Sequence, residues 1–400
     1  MIEESVFDSF KFPTTWQMEK LRRVFSNTKT LTSRQLPLLG ANVALGVTER
    51  YEGDGRPAAS EDLSRYKVVE VNDIIMNPLG KPHGSIGRSN LVGITSPAYW
   101  VLRCNAGFEP RYAHYLLRSE VMINEYKRRS KNLPPNQFDL PWEQFREIEI
   151  GFPSLQEQRR IADFLDAMIS TIDLLVVAKN QEMQLIAELE QGLIDNVVAS
   201  EHMMKLKHIC QTPGQYGLNI TPDQYRESGI RLLRTSDFGS REVEPIFVDG
   251  PLEDRHIVKV GDVLLTRSGT IGQSFLVTEG EAGSAYAGFL IRYRTRKTYD
   301  PKFLSLVVRS SDFQQQVKLG AVVSTIPNFN ADRYDNLLVP DLNLAKQQSC
   351  IEAVNTDAQN LLDAASLITR SIKEMEELKT SLITAAVTGT FDVTTGRSVA

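Results

Sequence analysis

Pro153-Ser154-Leu155-Gln156-Glu157-Gln158-Arg159-Arg160-Ile161-Ala162 opens a long stretch in which apolar residues recur in alternating steps of three and four. That spacing is typical of a heptad seam on one face of a helix. The stretch contains no proline, and its outer positions carry Asp, Glu, Gln and Lys. We therefore predict a first long helix over residues 153–199, interrupted near Lys179, with seam positions Ile161, Leu165, Met168, Ile172, Leu175, Ile186, Leu189, Leu193 and Val197.

A second stretch of the same kind predicts another long helix over residues 340–390. About 40 residues of helix extend ~60 Å, which is longer than a small domain can cover. A coiled coil between the two helices is therefore favoured over the alternative, in which each amphipathic helix lies on its own domain. The second seam comprises Ile351, Val354, Ala358, Leu361, Ala365, Ile368, Ile372, Met375, Leu378, Leu382 and Ala386.

The two helices belong to a tandem duplication of the whole chain. Five pairs of short segments recur in the same order, at offsets of 185 to 192 residues. Gly, Pro and short apolar runs before each helix indicate strands closed by turns, followed by a helical part. We predict an α+β fold with globular domains over 1–152 and 200–339 and a tail over 391–400. The matching segments are 20–24 and 205–209, 71–87 and 260–272, 110–119 and 301–310, 135–136 and 327–328, and 152–161 and 339–351.

Chain connectivity constrains how the two copies are arranged. Residues 199–204 join the first helix to the second domain, and at ~3.5 Å each they span only ~20 Å. They cannot run back along a ~60 Å helix. The second helix can therefore pair with the first only in the antiparallel direction. The expected arrangement is circular and pseudo-twofold, with two globular domains separated by the antiparallel coiled coil.

Composition and motifs argue against several classes of function. The 400 residues are 42% hydrophobic and carry a net charge of −5, which argues against a protein that coats nucleic acid all over. Cys104, Cys210 and Cys350 show neither disulfide nor zinc spacing. The sequence has no phosphate-binding loop motif, and its five histidines have no metal-binding spacing. We therefore expect no metal site. The sequence has neither a signal peptide nor an apolar run long enough to span a membrane, so we expect a cytoplasmic protein.

One segment nearly matches a catalytic motif. Amino-methylating DNA methyltransferases use a short [DN]-P-P-[YFW] motif to hold a flipped base. Asn132-Leu133-Pro134-Pro135-Asn136 breaks this pattern, because a leucine is inserted and asparagine stands in place of the aromatic residue. No glycine-rich loop for S-adenosylmethionine accompanies it. We interpret it as a polar turn, and we expect no catalytic residue in this chain.

Polar loops at matched places in both copies are the candidates for binding DNA. Arg, Lys, Ser, Thr, Asn and Gln read base edges or bind phosphates, and glycine allows close approach of the backbone. The loops are 81–88 and 266–273, and a basic run over 127–132 and the segment 318–330 accompany them. A solvated surface is the alternative for each of them. The candidate residues are Lys81, His83, Ser85, Arg88, Lys127, Arg128, Arg129, Lys131, Asn136, Arg267, Ser268, Thr270, Gln273, Lys318, Ser324, Thr325, Asn328 and Asn330.

Over essentially its whole length the chain resembles the specificity subunit of type I restriction-modification enzymes. The resemblance rests on the two variable domains with their Gly-x-Ile-Gly turns, on the stretch 153–162, and on Leu382-Ile383-Thr384-Ala385-Ala386-Val387-Thr388-Gly389. The second helix opening, Pro340-Asp341-Leu342-Asn343-Leu344-Ala345-Lys346-Gln347-Gln348, is a degraded copy that lacks the Glu. Its helix start is therefore less well defined by the sequence.

The resemblance implies that each domain reads one half of a bipartite, asymmetric target on double-stranded DNA. The antiparallel helices would fix the spacer between the halves and dock two methyltransferase subunits. Restriction and translocation subunits would join them, and S-adenosylmethionine, Mg²⁺ and ATP would bind only those partners. A non-enzymatic scaffold that bridges two proteins is the alternative function. The helix positions expected to bind the partners are Gln158, Ile161, Leu165, Ile172, Ile186, Leu193, Ile351, Leu361, Ile372 and Leu382.

Overall fold

In a computed structural model of the chain, two compact units are present. Unit 1 comprises residues 1–179 and 370–400, and unit 2 comprises residues 180–369. Each unit therefore contains one globular domain and a part of each long helix. The structure describes residues 12–32, 36–42, 46–50, 62–80, 85–133, 137–238, 243–321 and 328–398.

The first domain consists of short antiparallel strands followed by helices. Its central sheet has the strand order β2-β10-β6-β8, and β11-β12-β7 forms a second sheet. Apolar side chains of the central strands are buried because both faces of this sheet are covered. The elements are β1 (Gln17–Lys20), α1 (Leu21–Val24), β2 (Phe25–Asn27), β3 (Leu39–Asn42), β4 (Gly46–Glu49), β5 (Lys67–Val69), β6 (Ile74–Met76), β7 (Leu79–Gly80), β8 (Ile86–Arg88), β9 (Gly93–Thr95), β10 (Trp100–Cys104), α2 (Pro110–Arg118), α3 (Glu120–Arg129), β11 (Lys131–Leu133), β12 (Gln137–Asp139), α4 (Trp142–Phe145) and β13 (Glu149–Phe152).

The second domain follows the first long helix, α5 (Leu155–Val198), and repeats the same plan. Its sheet β15-β21-β18-β19 corresponds to the central sheet of the first domain, and β14 pairs with β22 as β1 pairs with β13. The elements are β14 (Met203–Lys205), α6 (Leu206–Ile209), β15 (Gln215–Tyr216), β16 (Ile230–Leu233), β17 (Ile246–Val248), β18 (Val263–Thr266), β19 (Ser274–Leu276), β20 (Ala285–Tyr286), β21 (Leu290–Tyr293), α7 (Pro301–Arg309), α8 (Ser311–Gly320), α9 (Ala331–Asp335), β22 (Leu338–Pro340), α10 (Leu344–Thr388), β23 (Phe391–Asp392) and β24 (Arg397–Ser398).

A buried aspartate marks the same bend in both domains. Asp73 accepts two hydrogen bonds from Arg103, at 2.8 and 2.7 Å, and Asp262 accepts two from Arg294, both at 2.7 Å. Each carboxylate also accepts a backbone N–H from three residues earlier, at 2.9 and 2.8 Å. A buried carboxylate needs such a charged, bidentate partner. The two domains thus share the same internal contacts, as the duplication predicted from the sequence implies.

A buried glutamine fastens the start of α5 to the first domain. Gln158 is fully buried, and its Oε1 accepts the backbone N–H of Glu109 at 2.9 Å, just before α2. Its Nε2 donates to the carbonyl of Pro153 at 2.9 Å. An amide is suited to this position because it satisfies a donor and an acceptor at once. Ser154 Oγ accepts the N–H of Glu157 at 3.3 Å, in the geometry of an N-cap.

Gln347 forms the same contacts at the start of α10. Its Oε1 accepts the N–H of Asp300 at 2.7 Å, and its Nε2 donates to the carbonyl of Leu342 at 2.6 Å. Asn343 Oδ1 accepts the N–H of Lys346 at 2.9 Å and takes the place of the serine as N-cap. The helix opening that is degraded in sequence is therefore complete in its hydrogen bonds, and α10 begins at Leu344.

The far end of each long helix caps a domain helix of the other copy. In unit 1, Thr384 Oγ1 on α10 accepts the N–H of Glu120 at the start of α3, at 3.2 Å. In unit 2, Asp195 Oδ1 on α5 accepts the N–H of Ser311 at the start of α8, at 2.7 Å. The first N–H groups of a helix have no partner within it, so these contacts satisfy otherwise unpaired donors. Each domain is thus held by the start of one long helix and the end of the other.

The two long helices are antiparallel, as predicted. In unit 1, Leu165 packs in one core with Ala386, and farther along α5 Asp173 pairs with the earlier residue Lys379 of α10 at 2.5 Å. In unit 2, Val198 packs with Cys350, at the end of α5 and the start of α10. The order of contacts along α10 is therefore the reverse of that along α5.

The strict heptad assignment was wrong at several positions. Met168, Leu175, Leu189 and Leu378 are exposed, although the three-and-four spacing had placed them in the seam. An α-helix has 3.6 residues per turn, so positions seven apart drift by about 20° per heptad. This drift amounts to about 60° over three heptads, but it does not account for Met168, which lies only one heptad after the buried Ile161.

The glutamine contacts give a first prediction. We expect Gln158→Ala to destabilise unit 1, and Gln347→Ala unit 2, by about 2–4 kcal/mol, because each change leaves buried backbone groups unpaired. Hydrogen exchange at α2 and α7, together with thermal unfolding, measures the two effects separately. Gln184→Ala on α5 is the matched control, since that side chain is exposed and contacts only Glu188. Equal losses in all three variants would contradict the proposed role.

Candidate nucleic-acid interface

The hairpin between β18 and β19 holds the candidate loop of unit 2 in a defined shape. Thr266 is buried, and its backbone N–H donates to the carbonyl of Gln273 at 3.0 Å, while its Oγ1 donates to that of Thr270 at 2.5 Å. Gly269 and Gly272 adopt φ of +76° and +83°, a region that favours glycine. The side chains of Thr270 and Gln273 are exposed on this closed loop.

Two aromatic residues fix the base of this loop. The hydroxyl of Tyr334 accepts the N–H of Gly272 at 3.0 Å and donates to the carbonyl of Thr266 at 2.7 Å. The guanidinium of Arg267 lies over the ring of Tyr216, with 4.9 Å from its carbon to the ring centroid. Stacking on a ring orients the plane of an arginine and leaves its edge for hydrogen bonding. Within the described residues, Arg267 Nε has no hydrogen-bond partner.

The second segment predicted for this site meets the loop through the backbone. Ser268 and Asn328 form a β-bridge, and the N–H of Phe329 donates to the carbonyl of Arg267 at 2.8 Å. Asn328 is exposed. Asn330 is exposed as well, but its Oδ1 accepts the N–H of Arg333 at 3.0 Å and so caps α9.

The structure gives less information on the other candidate DNA-binding residues of unit 2. Lys318 lies exposed on α8, and Ser324 and Thr325 lie outside the described residues. The structure therefore brings Arg267, Ser268 and Asn328 together, on the same hairpin that carries Thr270 and Gln273.

The corresponding hairpin of unit 1 connects β6 and β8. Lys81 and His83 lie outside the described residues, and Ser85 is half-buried. Arg88 ends β8, where its Nη1 donates to Asn72 Oδ1 at 2.7 Å and its N–H to His114 Nδ1 at 3.3 Å. Burial lowers the pKa of His114 to about 3, with the charges of Arg118 and Arg88 adding to the effect. That imidazole is therefore a neutral acceptor.

The two Gly-x-Ile-Gly quartets are not structurally equivalent, contrary to the sequence alignment. Gly87 lies in β8 opposite Ile75, whereas the residue of unit 2 opposite Leu264 is Phe275. Gly272 lies in the turn before β19. The pairing register thus differs from the motif alignment by three residues, because the quartet of unit 2 lies earlier in its hairpin than the quartet of unit 1 does. The loops correspond, but the quartets within them do not.

Two arginines of the basic run over 127–132 share one internal carboxylate of unit 1. Glu125 is fully buried, and its Oε1 contacts Arg128 Nη2 at 2.7 Å and Arg129 Nε at 2.5 Å. Burial alone would raise the pKa of Glu125, but the hydrogen bonds from the two arginines outweigh it and hold that pKa below its ordinary value. Two of the residues predicted to bind DNA are thus engaged by an internal carboxylate, and DNA binding by this run stays a prediction. Lys127 is half-buried, Lys131 is exposed, and Asn136 lies outside the described residues.

The lowered pKa of Glu125 makes its contribution to stability depend on pH. A depressed carboxyl pKa stabilises the fold above the ordinary value of 4.5, and that stability is lost as the pH falls through the folded pKa. We expect Glu125→Gln to cost about 1–3 kcal/mol at pH 7. The difference from wild type should shrink as the pH falls below about 4.5.

Denaturant unfolding of wild type and variant between pH 7 and pH 3.5 measures this dependence. Glu374→Gln, which removes an exposed pairing partner of Arg370, is the control and should change stability by less than about 0.5 kcal/mol. A difference between wild type and Glu125→Gln that stays constant with pH would rule out the assigned role.

The residues predicted to bind partner proteins point mainly into the chain itself. Gln158, Ile161, Leu165 and Ile172 are buried. The others are half-buried, namely Ile186, Leu193, Ile351, Leu361, Ile372 and Leu382. The apolar side chains left open on the long helices include Leu174, Val177, Leu185, Leu362 and Leu367, which the seam pattern passed over, and Leu175, Leu189 and Leu378, which it had placed in the seam.

In the part of the chain that the structure describes, we find no support for a metal site or for a reactive thiol at Cys104 or Cys210. There, no group of three or more His, Cys, Asp or Glu side chains is arranged to hold a metal ion. Burial raises the pKa of Cys104 and of Cys210 to about 12, so these thiols stay protonated. Among the described helices, none is both long and apolar enough to cross a bilayer.

Comparison with known proteins gives a consistent result. Residues 94–185 match the family model of the type I restriction modification DNA specificity domain. No curated protein matches the chain by sequence.

Two solved structures share the fold over nearly the whole chain. One comes from work on complex assembly and conformational transition of the type I R-M system, with a TM-score of 0.76, 19% identity, and coverage of 94% of this chain and 99% of that one. The other is the HsdS subunit from Thermoanaerobacter tengcongensis, with a TM-score of 0.53, 18% identity, and coverage of 96% and 99%. Residues 94–185 are thus similar to the type I restriction modification DNA specificity domain, and the chain shares the fold of these two solved structures.

Proposed function

We propose that this chain is the DNA specificity subunit of a type I restriction-modification system, in which each globular domain reads one half of a bipartite target. The observation that carries the proposal is a constant framework that presents two different loops. The bends at Asp73 and Asp262 and the helix starts at Gln158 and Gln347 have matching contacts. The hairpin loops between β6 and β8 and between β18 and β19 differ in length and sequence.

The loop of unit 2 has the chemistry for direct readout of bases. Arg267 stacked on Tyr216 presents an oriented guanidinium, the group that pairs most often with guanine. Thr270, Gln273 and Asn328 are exposed, and their side chains can both donate and accept hydrogen bonds. Because the loop is closed by Thr266 and Tyr334, little conformational entropy would be lost on binding.

Partner subunits complete the proposed activity in the cytoplasm. Two methyltransferase subunits would dock on the long helices, where exposed leucines and valines form apolar surface of the kind that marks protein interfaces. Those subunits would bind S-adenosylmethionine, and the restriction and translocation subunits would use Mg²⁺ and ATP. This chain itself would contribute recognition without catalysis. The solved relative studied for complex assembly of a type I system supports such an arrangement.

Mapping of methylated adenines tests the function directly. Co-expression of the chain with its methyltransferase partner should produce methylation at one asymmetric sequence with two defined halves and an unread spacer. We expect Arg267→Ala to weaken recognition of one half by roughly 10- to 100-fold, since a bidentate base contact is worth ~1–3 kcal/mol, and to leave the other half unchanged.

Arg255→Ala is the matched control, because Arg255 is exposed in unit 2 and pairs with Glu253 away from the loop. It should leave both halves of the target unchanged. Uniform loss of methylation in Arg267→Ala, or the absence of any bipartite site with wild type, would refute the proposal.

A further inference from the structure

Unit 1 contains a cleft of about 530 Å³ whose walls are basic and aromatic. Four separate segments supply its cations: Arg22 in α1, Lys29 after β2, Lys67 at the start of β5, and Arg146 after α4. Trp100 and Trp142 supply its aromatic walls. None of these residues belongs to the loops or to the basic run considered above.

The positive charge of the cleft is only partly balanced. Glu147 pairs with Arg22 at 2.7 Å, and Glu143 pairs with Arg146 at 3.3 Å. Lys67 Nζ donates to the carbonyl of Tyr99 at 2.5 Å, and no ion pair involves Lys29 or Lys67 within the described residues. Burial lowers the pKa of Lys67, and the nearby charge of Lys29 lowers it further. Two like charges thus share a partly desolvated space, which favours an anion between them.

The cleft lies at the root of the candidate hairpin of unit 1. Trp100 pairs across the sheet with Met76, the last residue of β6, after which the hairpin loop begins. The rings of Trp100 and Trp142 meet edge to face, with 5.0 Å between centroids, and Trp100 is almost fully buried. Such packing makes the aromatic wall rigid. The cleft therefore lies beside the strand from which the hairpin loop starts.

Unit 2 differs from unit 1 at one of the positions that line the cleft. Asp335 stands where unit 1 has Arg146, as the matching turns after Phe145 and Tyr334 show. Its Oδ1 accepts from the hydroxyl of Tyr293 at 3.0 Å and from the N–H of Gly214 at 2.9 Å. The cation that Arg146 contributes to the cleft therefore has no counterpart in unit 2.

We propose that this cleft binds the phosphate backbone of duplex DNA beside the half-site that unit 1 reads. The inference rests on the proposed function. Lysine and arginine are the usual phosphate partners in protein–DNA complexes, and such contacts set the register of a domain on the duplex. Because Arg128 and Arg129 are held by Glu125, the cleft supplies the positive charge that the basic run was expected to supply.

The salt dependence of DNA binding by the full chain, alone and with its methyltransferase partner, measures these contacts. Each phosphate contact contributes about −0.9 to the slope of log K against log salt. The double variant Lys29→Gln/Lys67→Met should therefore reduce the slope by ~2 and weaken binding about fivefold per contact near 0.15 M salt. Ethylation interference should lose its signal at phosphates flanking one half-site only, the half that Arg267→Ala leaves intact.

Two control variants make the outcome decisive. Lys29→Arg keeps the charge and should keep the slope, and Lys297→Gln, an exposed lysine of unit 2, should leave it unchanged. An unchanged slope in the double variant, with its thermal stability intact, would overturn the cleft assignment while the bipartite target still stands. Saturable binding of inorganic phosphate that the double variant loses, without any change in the DNA slope, would overturn it too. Failure to find a bipartite target would instead refute the proposed function.

Discussion

The fully buried side-chain amide at the start of each long helix is the contact on which the rest of the structure depends. Gln158 and Gln347 each join the first turn of a rigid helix to the backbone just before a domain helix, by donating and accepting at once. A salt bridge in this place would carry a desolvation cost that a neutral amide avoids. With Thr384 and Asp195 capping α3 and α8, each domain is held at two points along the helices.

This fixed frame leaves the hairpin loops free to differ. The framework side chains, such as Asp73 with Arg103 and Asp262 with Arg294, are buried or tied to the backbone. The loops start directly after these buried strands, so their position is set by the frame and their chemistry by their own residues. That separation explains how one duplicated fold can present unlike surfaces in its two copies.

Much of the frame was predictable, and much of the site was not. Helical periodicity predicted both long helices, because a buried face recurs at a fixed local spacing, and the short link over 199–204 predicted their antiparallel direction. Glu125 lies three and four residues before Arg128 and Arg129, and this helical spacing alone could have predicted the internal ion pairs. The stacking of Arg267 on Tyr216 joins positions 51 residues apart, and no local pattern announces it. The displaced Gly-x-Ile-Gly quartet shows that a short motif does not fix strand register.

Local charge, rather than total charge, decides whether such a chain can bind DNA. The net charge of −5 suggests repulsion, yet at physiological ionic strength exposed charges are screened beyond about 8 Å. The interaction with a DNA duplex therefore depends on the balance of positive and negative charges close to the contact. Near Glu125 one carboxylate offsets one of two arginine charges, whereas among the described residues no carboxylate pairs with Lys29 or Lys67. A basic run in a sequence is thus a weaker guide to a DNA contact than lysines from separate segments that the fold leaves without a carboxylate.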